Sequence, residues 1–102
     1  MAQFTRIAGI ADLAPGEAKC VETAGKKIAL FNVDGRFYAI DDTCTHRGGP
    51  LSEGEVSGEH VTCPWHGAVF DLKTGAVLGP PAPTGVQAYA VRIQGSDVEV
   101  EV

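Results

Sequence analysis

A chain of 102 residues with 44% hydrophobic and 21% charged residues is a globular protein of one domain, with a single modest core. The net charge is −5, with the acids scattered, which argues against a nucleic-acid partner and fits docking on a basic patch of another protein. No apolar run approaches the roughly 20 residues that span a bilayer, and Met1–Arg6 lacks the basic and apolar segments of a secretory signal. The expected compartment is the cytoplasm, and no membrane partner is expected.

Thirteen glycines and six prolines punctuate short β-prone runs, so the expected fold is all-β, a small antiparallel sandwich or barrel. In chain order, Phe4–Ile7 reads as a short strand, and Ile10–Leu13 as a turn at most. Lys19–Thr23 is a strand that carries Cys20 as an ordinary strand residue. Lys27–Val33 and Arg36–Ile40 flank Asp34-Gly35, a strong hairpin signal. A small hairpin is expected around Ser57-Gly58-Glu59, leading into a short strand at His60–Thr62. Ala68–Asp71 is a further short strand, closed by a turn at Lys73-Thr74-Gly75. Gly79-Pro80-Pro81-Ala82-Pro83 is a loop stiffened by its prolines, a candidate rigid flap. Val86–Ile93 and Asp97–Val102 close the chain, the last alternating strictly with its valines on one face.

Two loops break this pattern with chemistry. Cys44-Thr45-His46 and Cys63-Pro64-Trp65-His66 each pair one thiol with one imidazole, and sixteen residues separate them. With three cysteines in the chain a disulfide framework is not expected. Two Cys and two His can build a structural zinc site, but the common zinc motifs pair Cys with Cys and His with His. Mixed clips suit a centre with two unlike ends, both thiolates on one metal and both imidazoles on the other. A Rieske [2Fe–2S] cluster has that arrangement.

The chain resembles the Rieske family along essentially its whole length. The resemblance rests on Cys44, His46, Cys63 and His66, and on Thr45, Gly48, the Leu51-Ser52-Glu53-Gly54 stretch, Pro64 and Gly67. It implies one Rieske domain over residues 1–102, with cluster-binding loops at about 42–83 and one [2Fe–2S] cluster. It further implies that Cys44 and Cys63 bind the buried iron, and that His46 and His66 bind the outer iron with their ring edges towards solvent. Gly48, Gly49 and Gly67 would let backbone N–H groups approach the sulfurs. Arg47, Pro64, Trp65 and Pro81 would frame a docking face, Trp65 alternatively shielding the cluster.

Two departures from the high-potential members bear on function. Those members join the loops by a disulfide at positions that match Gly49 and Trp65 here. They also carry hydroxyls, on a Ser and a Tyr, where this chain has Ala68 and Phe70. The loss implies a midpoint near the bottom of the family range of about −150 to +300 mV. With His46 and His66 committed, His60 alone cannot build a two-His, one-carboxylate iron site, so a complete terminal oxygenase is excluded. No dinucleotide-binding fingerprint is present, so electrons must come from a separate protein.

The resemblance implies a soluble, monomeric, non-enzymatic ferredoxin. It would pass electrons from an NAD(P)H-dependent flavin reductase to a terminal ring-hydroxylating oxygenase. Four alternatives stand beside it: the small subunit of an assimilatory nitrite reductase, the ferredoxin of another monooxygenase, a Rieske domain feeding a cytochrome, and a zinc-stabilised interaction domain.

Overall fold

The computed structural model describes residues 3–23, 25–43, 49–65, 67–79 and 84–101. Within them the chain forms β1 (Phe4–Gly9), a 3-10 turn (Ile10–Asp12), β2 (Ala18–Thr23), β3 (Lys26–Val33) and β4 (Arg36–Asp41). A second 3-10 turn (Leu51–Glu53) precedes β5 (Glu55–Ser57), β6 (His60–Thr62), β7 (Val69–Asp71) and β8 (Val77–Gly79). β9 (Ala88–Tyr89), β10 (Val91–Gln94) and β11 (Asp97–Glu101) follow. The strands pair antiparallel in three sheets, ordered β1-β11-β10, β2-β3-β4-β9 and β5-β6-β7-β8. The all-β antiparallel expectation therefore holds, built as three small sheets. Among the described residues no helix is long and apolar enough to cross a membrane.

β3 explains how the sheets stack. Ile28, Ala29, Leu30 and Phe31 are all fully buried, and successive residues point to opposite faces. Ile28 and Leu30 pack with Ala8, Ala39, Val98 and Val100 of the terminal strands and β4. Ala29 and Phe31 pack with Ile40, Leu51, Val61, Phe70 and Leu72. The middle sheet thus carries the terminal sheet on one face and the β5–β8 sheet on the other.

Local chemistry sets the register. Asp34 and Gly35 adopt positive φ values of 52° and 89°, the two left-handed residues that a two-residue hairpin needs. Val33 then pairs with Arg36, and Asn32 Oδ1 accepts from the Gly35 N–H at 2.8 Å. Val98 and Val100 are fully buried, as their alternation predicts. Two expectations are corrected. The stretch Val86–Ile93 is not one strand: it breaks at Ala90, because Tyr89 pairs with β4 while Val91 pairs with β11 in the other sheet. The Ala68 end of the next expected strand is shorter too, β7 beginning at Val69.

A polar link ties the β5–β8 sheet to the middle sheet. Tyr38 Oη donates to Glu59 Oε2 at 2.7 Å, and Lys73 Nζ lies 3.1 Å from the same oxygen. The Tyr38 hydrogen bond, and then Lys73, hold the Glu59 carboxyl below the usual carboxylate range.

Because Ile28 faces the core away from the cysteine loops, Ile28→Val should cost stability without touching the site. Urea unfolding should show a loss of about 0.5–1.5 kcal/mol, while the spectrum of the bound metal centre stays at wild type.

Candidate metal centre

Cys63 is the one expected ligand among the described residues; Cys44, His46 and His66 lie outside them. Cys63 follows β6 and is 3% exposed, in the same buried cluster as Phe31, Leu51 and Phe70. The chain turns back tightly after it. The Cys63 N–H donates to the Ala68 carbonyl at 2.7 Å, and the Gly67 N–H donates to the Cys63 carbonyl at 3.2 Å. Gly67 has φ +79°, a left-handed conformation that other residues rarely adopt. The second clip is therefore a closed turn with its sulfur facing inward, away from bulk water.

Gly49 comes from the first loop and meets that sulfur. A Cβ built on Gly49 would sit 2.7 Å from Cys63 Sγ and 3.1 Å from Cγ and Cδ2 of Trp65. Only a bare backbone fits between the Cys63 sulfur and the indole. The two positions that resemble the disulfide pair of high-potential members are thus packed against each other, indole on backbone. Trp65 is nevertheless 57% exposed, so one side chain both covers the loop and presents an apolar face to solvent. Pro64 beside it is exposed. Arg47 and Pro81, and with them the 80–83 segment, lie outside the described residues.

Ala68 and Phe70 are both fully buried in the Cys63 cluster, so hydroxyls placed at either would be withdrawn from water. His60 is exposed on β6, opposite Ser57 and Asp71. Cys20 is an exposed residue of β2, as expected; desolvation at its sulfur, and then the neighbouring Asp42 carboxylate, hold its thiol above the usual range. Among the described residues no group of three or more His, Cys, Asp or Glu side chains gathers to hold a metal ion.

Sequence reasoning passed over Asp42. It is 5% exposed, its Oδ1 accepts from the Ser52 N–H at 2.7 Å, and its carbonyl accepts from the Leu51 N–H at 2.6 Å. The one signal available was its place two residues before Cys44.

Against this geometry the comparisons with known proteins are specific. Residues 3–90 match the Rieske [2Fe-2S] domain. The chain is 41% identical over 99 residues to the biphenyl dioxygenase ferredoxin subunit of Pseudomonas sp. (strain KKS102), covering 96% of this chain and 91% of that protein. It is 44% identical over 94 residues to the 3-phenylpropionate/cinnamic acid dioxygenase ferredoxin subunit of Shigella boydii serotype 4 (strain Sb227), covering 91% and 88%. A ferredoxin chain solved in a complex of reduced oxygenase and oxidized ferredoxin, in carbazole 1,9a-dioxygenase, superposes with a TM-score of 0.89. There the identity is 31%, and the match covers 96% of this chain and 92% of that one. The chain belongs to the Rieske [2Fe–2S] domain family, and its cofactor is the cluster that defines it.

The residues in place fit that group. A buried cysteine sulfur with glycine backbone pressed against it is the environment an iron–sulfur ligand needs, since the sulfurs are tuned by nearby backbone donors and by solvent exclusion. Adding one methyl group tests it. Gly49→Ala should force the two loops apart at the Cys63 sulfur, and iron and acid-labile sulfide analysis should find well under two of each per chain. A full complement would show that the loops absorb the methyl group.

Proposed function

We propose that this chain is a soluble, cytoplasmic, low-potential one-electron carrier. It takes electrons from an NAD(P)H-dependent flavin reductase and delivers them to the terminal oxygenase of a ring-hydroxylating system. The observation that carries the reading is the buried Cys63 sulfur under Gly49 and Trp65, in a chain that matches stand-alone ferredoxin subunits along nearly their full length. The chain is an electron-transfer component of such a system, not itself the oxygenase. One Rieske domain over residues 1–102 accounts for the part it plays.

Cys44 and Cys63 would hold one iron, and His46 and His66 the other. A bound Rieske cluster accepts and returns a single electron near neutral pH. The Cys63 sulfur is buried, and the Gly49 backbone lies between it and the Trp65 indole. The imidazole edges of His46 and His66, with Arg47, Pro64, Trp65 and Pro81 around them, would form the face that meets each partner. A carrier must release each partner in turn, so the encounters are weak, salt-sensitive and made by a monomer.

Potential separates this role from a quinol or cytochrome chain. Two ferric ions, two sulfides and two thiolates sum to zero charge, which already favours reduction over a four-thiolate centre. High-potential members add hydroxyl donors, and Ala68 and Phe70 supply none. One such bond is worth about 1–2 kcal/mol, which is about 40–80 mV for one electron. Ala68→Ser and Phe70→Tyr should therefore each raise the midpoint by about that amount, read by redox titration with EPR detection. An unchanged or lowered midpoint in both variants would remove the argument from the missing hydroxyls.

The function itself is tested by mixing the chemically reduced protein with an oxidised ring-hydroxylating oxygenase under anaerobic stopped flow. One electron per chain should transfer, at a rate that falls as salt rises. A midpoint well above zero, or no transfer, would overturn the reading.

A further inference from the structure

β4 ends at Asp41, and a second carboxylate, Asp42, follows it in a bend two residues before Cys44. The two neighbouring side chains reach two different segments, Asp42 to Ser52 and Asp41 to Gln87 and Tyr89.

Asp42 reaches forward across the clip. Its carboxylate takes the Ser52 N–H and its carbonyl takes the Leu51 N–H, while Thr43 and Pro50 form an isolated bridge. The described residues on either side of 44–48 are thereby tied to each other. Leu51 and Ser52 open the second 3-10 turn, whose first N–H groups have no partner within the turn. Asp42 caps both, from nine and ten residues away. Leu51 is fully buried in the Cys63 cluster, so the far side of the neck is fixed against the second clip.

Asp41 reaches the other way. Its Oδ1 accepts from Tyr89 Oη at 2.5 Å and its Oδ2 from the Gln87 N–H at 3.2 Å. Its own N–H donates to the Gln87 carbonyl at 2.9 Å. In sequence, Gln87 and Tyr89 follow the proline-rich stretch 80–83.

We propose that Asp42 is a positioning residue for the cluster: by accepting the Ser52 N–H it sets the neck of the loop that bears Cys44 and His46. Asp41 sets the return of the proline loop separately. The required chemistry at position 42 is an oxygen acceptor, not a charge. This rests on the reading of Cys44 and His46 as ligands.

Asp42→Asn keeps an acceptor oxygen towards Ser52; Asp42→Ala removes it. In the cluster-loaded protein, the alanine variant should shift or broaden the EPR signal. It should also release iron to a chelator faster, by about fivefold or more, a change of about 1 kcal/mol. The asparagine variant should restore both towards wild type. Asp41→Ala should leave the EPR signal in place. Wild-type EPR and iron release in Asp42→Ala would overturn the proposal, as would an asparagine variant as impaired as the alanine one. Should Asp42→Ala fail to fold, hydrogen exchange on the wild-type holoprotein still decides: the Ser52 amide should be strongly protected, and exchange at open-loop rates would overturn the claim. If the wild type itself shows no Rieske signal, the ligand reading has failed instead.

Discussion

The site turns on the close approach of Gly49 to the Cys63 sulfur. A thiolate that binds iron in a protein must leave water and still find polar neighbours, and backbone meets both needs only where no side chain intervenes. Position 49 leaves no room for one: sulfur and indole border the place where a Cβ would stand. That approach requires two loops, far apart in sequence, to be held at fixed separation. The surrounding architecture supplies it. Phe31, Leu51 and Phe70 fill the floor, the Glu59 link fastens the small sheet to the middle one, and the ends of the first loop are tied at Asp42.

The same arrangement suits a carrier rather than a catalyst. The Cys63 side is buried by the fold, while Trp65 and Pro64 stand exposed at the rim of the same loop. Under the proposed function, that exposed apolar rim would be where an electron is exchanged. At the positions where high-potential members are bridged, this chain has Gly49 and Trp65, which cannot form a disulfide. Packing of an indole on backbone does the mechanical work, and it brings none of the electronic effect that a disulfide or a hydroxyl donor would have near the sulfurs.

Much of this was legible beforehand because it is local. The Asp34-Gly35 hairpin, the alternating valines of β11 and the short β6 depend on neighbours in sequence, and the structure places them there. The break at Ala90 was not, since nothing local tells Tyr89 to pair with β4 and Val91 with β11. The strand Val77–Gly79 and the turn Leu51–Glu53 were hidden for a related reason: each has three residues and is fixed by its packing. The cysteine and histidine clips announce themselves by residue type. Asp41 and Asp42 do not, because their partners lie 46 and 48 residues away in one case and ten in the other. An Asp-Asp pair at the exit of a strand looks like ordinary solvated surface until the fold brings those groups to it.

The most direct test of the central claim is electron–nuclear double resonance on the reduced protein carrying ¹⁵N-histidine. Two distinct histidine nitrogens coupled to the cluster, from His46 and His66, are the predicted result. Coupling to one nitrogen or none, in protein holding its full iron and sulfide, would contradict the two-clip account.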